Sequence, residues 1–169
     1  TRRMLEQNIG SRANARIVPM AAYRENATLT FRDFGVRNSG YNSIYQGKIS
    51  DQERRGVEAR SFQVQATTLD DFVATSGVAP DFLKIDTEGA EPDVLVGMDR
   101  LLTGRAGVPR PTLTLEVGDV GGPDIRPSRE VVEAILSKGY RGVEWQGSGL
   151  VEHRLRDRYP YENLLFRPS

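Results

Sequence analysis

An α/β fold with a parallel sheet and helices on both faces is the architecture this sequence predicts. Two observations carry that expectation. After Asp81, short apolar runs alternate with stretches whose hydrophobic residues repeat at helical spacing, giving strand, helix, strand, helix, strand. No Pro-, Gly- or Ser-rich stretch reads as a linker, so the 169 residues form one domain, long enough to bury a real core.

The elements follow in order. Met4, Leu5 and Ile9 suit one face of an N-terminal helix, although no cap precedes them. Ala15–Ala22 reads as a short buried strand and Ala27–Phe34, alternating with period two, as a half-exposed one. Asn38–Ser43 is a polar turn, and the charge run Asp51–Arg60 a solvated surface segment. Phe62–Thr67 forms a strand, and Leu69–Thr75 a short helix opened by Thr68, Asp70 and Asp71. Asp81–Asp86 is a strand. Pro92 then opens a helix, because its missing donor is not needed in a first turn. Val94, Leu95, Met98, Leu101 and Leu102 give that helix its apolar face, and Gly104 closes it. Thr112–Val117 is a strand, and Ser128–Lys138 a helix with Val131, Val132, Ile135 and Leu136 on one side, ended by Gly139. Gly142–Trp145 and Asn163–Arg167 complete the sheet.

Composition excludes several functions. With 23 basic and 23 acidic residues the net charge is zero, so no global field draws the chain to nucleic acid or an anionic membrane. No cysteine is present, which removes disulfides, thiolate catalysis and zinc–thiolate sites. His153 is the single histidine, and no nucleophile-elbow motif accompanies it. No apolar run has the length of a membrane span and no signal peptide opens the chain, so a cytoplasmic enzyme or binding domain is expected.

In open α/β sheets, ligands bind beyond the carboxyl ends of the strands. That rule selects Asp86 at the end of one strand, followed at once by Glu88, Gly89 and Glu91, and Glu116 at the end of a neighbouring strand. A helical turn would place Glu88 and Glu91 on one face, and Gly89 permits a tight turn or a close approach to a ligand. Three readings stand side by side. The acids complement a helix macrodipole, with Lys84 neutralising one of them. They hold a hard cation such as magnesium or calcium. Or they do chemistry. No metal is assigned.

Elsewhere, Asn38–Ser43 reads as an ordinary turn, with contact to a ligand as the alternative, and the loop Gly118–Pro123, leaving a strand's carboxyl end, as a neighbour of the ligand site. Tyr140, Trp145, Tyr159 and Tyr161 read as buried or partly buried aromatics, with a ligand pocket as the alternative. His153 reads as a surface residue. Arg154, Arg156 and Arg158 read as an exposed face, with phosphate binding as the alternative.

The run DFLKIDTEGAEPDVLVGM, Asp81–Met98, resembles the signature of the FkbM methyltransferase family. Lys84, Ile85, Asp86, Glu88, Gly89, Ala90, Glu91, Leu95 and Gly97 match it in place; Thr87 stands where an apolar residue is usual. Ala66–Phe72, Pro111–Val117, Gly139–Tyr140 and Glu162–Pro168 are similar to further family segments in the right order. The resemblance implies a Rossmann-like class I methyltransferase fold, a mostly parallel sheet with an antiparallel last strand, with residues 1–169 as the C-terminal portion of a single methyltransferase domain. It implies S-adenosyl-L-methionine as cofactor and a small-molecule acceptor, a hydroxyl of a sugar, polyketide or other metabolite. On that basis Asp86 orients or deprotonates the acceptor, and Glu88, Glu91 and Glu116 bind its hydroxyls or set local pKa values, Glu91 as the main helper. Met20, Ala21, Ala22 and Asp86 are the expected cofactor residues. The family's glycine-rich loop is expected upstream of Thr1, so residues 1–169 alone are expected to bind cofactor weakly. Two alternatives remain. One is a non-catalytic methyltransferase-like structural or interaction module. The other is a different nucleotide-binding α/β enzyme, which would need a phosphate-cradling glycine loop.

Overall fold

The structure, a computed structural model, describes residues 2–35, 42–45, 59–119 and 126–169. Its elements are α1 (Arg2–Ile9), β1 (Ala21–Ala22), β2 (Ala27–Asp33), β3 (Arg60–Thr67), α2 (Leu69–Ser76), β4 (Phe82–Ile85), α3 (Glu91–Val96), α4 (Asp99–Leu102), β5 (Thr112–Val117), α5 (Ser128–Leu136), β6 (Tyr140–Gln146), β7 (Gly149–Glu152) and β8 (Glu162–Pro168).

The strands form two sheets, in the orders β1-β3-β2 and β4-β5-β8-β6-β7. β4 and β5 are parallel, in the register Ile85↔Leu115, and β8 runs antiparallel beside β5, as expected for the last strand. The rest of the larger sheet is antiparallel, so the pairing is mixed rather than mostly parallel. The cause is partly local. β6 and β7 are joined through Gly147 and Ser148 alone, and a two-residue link with Gly147 at φ 57° can only make a hairpin.

In β5, Leu113, Leu115 and Val117 are buried while Thr112, Thr114 and Glu116 are half-exposed. Helices α3, α4 and α5 supply the facing layer, and Met98, Leu101, Leu102, Val132, Ile135, Leu164 and Phe166 are fully buried with it. The period-two pattern leaves the opposite face of β5 half-exposed, where helices on both faces were expected. That face carries Glu116. Among the described residues, no helix is long and apolar enough to cross a membrane.

Two elements differ from expectation for identifiable reasons. Of Ala15–Ala22 only Ala21–Ala22 is strand; Pro19 cannot donate to a ladder, and Met20 is exposed. The single helix expected from Pro92 to Gly104 is two, broken at Gly97–Met98. A Cβ on Gly97 would lie 2.0 Å from the Tyr23 carbonyl oxygen, so the chain crosses here at backbone contact. The buried Asp70 carboxylate then accepts from the Arg100 and Leu101 amides at 2.8 and 2.9 Å, while its own amide donates to the Gly97 carbonyl. A carboxylate from α2 thus starts α4 afresh. The charge run falls outside the described residues apart from Ala59 and Arg60, and Arg60 begins β3.

Candidate functional site

Parallel pairing brings the carboxyl ends of β4 and β5 together, and with them Asp86 and Glu116. Glu88 completes the group: one carboxylate oxygen from each of the three lies within 4.8 Å of the others. Two such charges repel by about 1 to 3.5 kcal/mol, for effective dielectrics between water and a protein surface. The Lys84 ammonium relieves part of this by pairing with Asp86 Oδ2 at 2.5 Å. The bond to Asp86 holds the Lys84 pKa above its ordinary value, and the Glu116 charge adds to it. Three carboxylates suit a hard cation, but they equally suit hydroxyl donors, and the geometry assigns no metal.

The loop that carries Glu88 is strained. Glu88 sits at φ 55° and Gly89 at φ 100°, consecutive left-handed positions. Glycine takes the second freely; a glutamate in the first costs of order 1–3 kcal/mol. Glu91 offsets that cost. Its Oε1 accepts from the Thr87 amide at 2.7 Å and the Thr87 hydroxyl at 3.1 Å, and its Oε2 accepts from the Gly89 amide at 2.9 Å. Glu91 is therefore buried and turned to the loop's own donors. Because α3 begins only at Glu91, Glu88 and Glu91 do not share the helical face that their spacing suggested. Ser43 grips the loop from outside, donating to the Glu88 carbonyl at 3.0 Å. Asp93, fully buried one turn on, accepts from Arg24 and from the Tyr45 hydroxyl. Burial, then the bond to Asp93, pushes the Tyr45 phenol well above its usual pKa.

A recess of about 40 Å³ opens beside the acids, lined by Gly89, Glu91, Glu116, Gly118, Ser128 and Tyr161 among others. The Tyr161 hydroxyl hydrogen-bonds to Glu116; that bond, burial and the nearby charges of Glu116, Glu88 and Asp86 raise its pKa above the ordinary tyrosine value. A roomier groove of about 320 Å³ lies between α3 and α5, lined by Leu95, Val96 and Val131, and none of the four expected acids reaches it.

The other expected site residues scatter. Ala21 and Ala22 are half-buried in β1, and Met20 just before them is 43% exposed. Arg24, two residues past Ala22, reaches Asp93, so the end of β1 meets the helix that follows the acid loop. His153 is buried, not a surface residue. Its Nδ1 lies 2.6 Å from Glu144 Oε2 and its Nε2 2.9 Å from the Tyr159 hydroxyl. A carboxylate only accepts, so the proton sits on Nδ1, and Nε2 accepts from Tyr159, whose oxygen accepts from the Arg156 amide. Arg156 is likewise not a free surface charge, for it bonds Glu144 and Glu162. Among the aromatics, Tyr140 and Tyr159 are buried, whereas Trp145 and Tyr161 are exposed, against expectation. Residues 38–41 of the polar turn and 120–123 of the loop after Glu116 lie outside the described residues.

Sequence reasoning gave Asp93 and Asp119 no site role, and gave Tyr161 a pocket role only as the alternative to a buried aromatic. Arg24 and Asp93, 69 residues apart, show no sequence sign of meeting. Asp119 alone left a trace, three residues after Glu116 at a strand end.

No curated protein and no solved structure matches the chain. The Methyltransferase FkbM domain matches residues 6–141, a span that takes in β1, the acid loop and Glu116. A match over most of the chain, running through the strand ends where the three carboxylates converge, settles the family: the chain belongs to the FkbM methyltransferases.

Proposed function

We propose that the chain is an S-adenosyl-L-methionine-dependent O-methyltransferase domain with a Rossmann-like class I fold, acting on a small-molecule hydroxyl in the cytoplasm. The observation that carries this reading is the convergence of Asp86, Glu88 and Glu116 within 4.8 Å at the ends of adjacent parallel strands. The antiparallel β8 beside β5 supports the fold assignment. Balanced charge supports a small-molecule acceptor rather than nucleic acid or a membrane.

Met20, Ala21, Ala22 and the carboxylates are the residues that would hold the cofactor. Exposed Met20 with small Ala21 and Ala22 behind it suits the flat face of an adenine, and the carboxylates suit a sulfonium cation. When bound, the cofactor supplies an activated methyl group. The remaining work falls to the chain. Lys84 occupies Asp86 Oδ2, leaving Oδ1 to accept the acceptor's hydroxyl proton and so aim its oxygen. Glu88 and Glu116 accept from neighbouring hydroxyls. Glu91 keeps the loop in the shape that brings Glu88 to the other two.

The test is transfer of labelled methyl from S-adenosyl-L-methionine to a panel of hydroxyl compounds, with calorimetric titration of the cofactor. Asp86→Asn keeps size and most hydrogen bonds, so the thermal midpoint should hold while turnover falls at least about 100-fold. Near-normal turnover in that variant removes Asp86 from the mechanism. Absence of both cofactor binding and transfer supports the non-catalytic module instead.

A further inference from the structure

We propose that Tyr161 is a specificity-determining wall of the acceptor site, its ring packing on the acceptor while its hydroxyl and Glu116 together recognise neighbouring hydroxyls of an uncharged ring compound. The inference rests on the methyltransferase reading above and deepens it.

The register places the residue. Glu116 pairs with Asn163 and Val117 with Glu162, so period-two alternation sets Tyr161 and Asn163 on the face of the sheet that carries Glu116. Tyr161 lines the same recess as Glu116 and bonds it, yet stays 61% exposed. A large ring with its hydroxyl held and its face uncovered, beside a carboxylate cluster, is ready to pack against a ligand.

The backbone on both sides of Tyr161 is anchored. The Asp119 amide donates to the Tyr159 carbonyl at 3.0 Å, and the Tyr159 amide donates to Asp119 Oδ2 at 2.7 Å. Asp119 Oδ1 accepts from the Ser128 amide at 2.9 Å, and Ser128 Oγ accepts from the Gly118 amide at 2.9 Å, which ties in the start of α5. The Tyr159 ring is fixed through His153 and the Arg156 amide. Glu162, on the other side, is held by Arg156. Only Pro160 stands between Tyr159 and Tyr161, and its fixed φ removes further freedom. Asp119, Tyr159 and His153 are thus positioning residues for Tyr161.

Charge sets the ligand class. The clustered carboxylates of Asp86, Glu88 and Glu116 stand against Lys84, already paired with Asp86, and Arg126 at the recess. Hydroxyl donors gain charge-assisted bonds to the carboxylates. A phosphate or carboxylate on the acceptor meets repulsion.

The probes are methyl α-glucopyranoside and the corresponding glucuronide, tested on the whole protein by saturation-transfer NMR, which needs no turnover. Wild type should show the neutral pyranoside and show the glucuronide several-fold more weakly. Tyr161→Ala should lower the pyranoside signal on the order of fivefold, and Tyr161→Phe less, because the ring remains. In methyl transfer, Tyr161→Ala should raise acceptor KM while kcat stays within about threefold. Tyrosinate absorbance, wild type minus Tyr161→Phe, should show Tyr161 ionising above the ordinary value of about 10, and Glu116→Gln should bring it down toward that value. Equal pyranoside binding by Tyr161→Ala, no binding by wild type, or equal binding of the glucuronide overturns the proposal and leaves the methyltransferase reading standing. Pyranoside binding lost with Tyr161→Ala, but no methyl transfer by wild type to any acceptor, sinks that reading and upholds Tyr161 as a ligand wall.

Discussion

Replacing Glu91 by alanine should unfold the acid loop before it touches any chemistry. The Glu91 carboxylate accepts three hydrogen bonds, two from backbone amides that bracket the strained Glu88. Bonds to a charged group are worth about 1.5–3 kcal/mol each, and an orphaned buried amide costs a similar amount. The three share one carboxylate and are not additive, and water can reach part of the loop once the side chain is gone. A net loss of about 3 kcal/mol follows, a large share of the 5–15 kcal/mol that holds such a domain together. For a chain of this size each kcal/mol moves the thermal midpoint by about 2–4 °C, so the melt should drop by about 6–12 °C. Glu91→Gln keeps one acceptor and should lose about half as much. Circular dichroism melts of both variants measure this. A midpoint within about 2 °C of wild type for Glu91→Ala would show that the loop holds its shape without the carboxylate, and would leave a direct catalytic role for Glu91 as the better account.

Three further outcomes follow from the geometry. Gly97→Ala drives a methyl into the Tyr23 carbonyl, 2.0 Å away, where backbone meets backbone; a loss of about 3 kcal/mol or more, or failure to fold, is expected, and a wild-type melt would contradict the crossing. Hydrogen bonds from the Ser128 and Tyr159 amides hold the Asp119 pKa below its ordinary value despite the opposing effect of burial. Its stabilisation is therefore complete above the unfolded value of about 3.9 and is lost as pH falls through the lower folded value. Asp119→Asn should melt lower than wild type at pH 7, with the gap closing below about pH 4; a gap independent of pH would exclude the charge as its source. His153→Ala removes one partner each from buried Glu144 and Tyr159 and should cost about 2–4 kcal/mol, read by denaturant titration, whereas a surface histidine would cost almost nothing.

The sequence by itself determined the elements whose signals are local. Short apolar runs marked β4, β5 and β8, Thr68 capped α2 as its residue type suggests, and strand ends selected Asp86 and Glu116 as neighbours. Glu88 came with them, because it follows Asp86 by two residues, and Gly89, three past Asp86, permits the tight turn there. Tertiary structure decided what depends on partners distant in the chain. The helix after Pro92 breaks because Tyr23 crosses Gly97 and Asp70 caps α4, neither of which its own hydrophobic repeat can register. His153 sits among charged neighbours in sequence, yet its two nitrogens find Glu144 and Tyr159 and can leave water without losing a bond. Glu91 shares the acidic character of Glu88, but only the left-handed turn between them sends one carboxylate to the cleft and the other back to the loop. Periodicity reports which side of an element is apolar; which polar group a buried carboxylate or imidazole will meet is fixed only when the chain closes on itself.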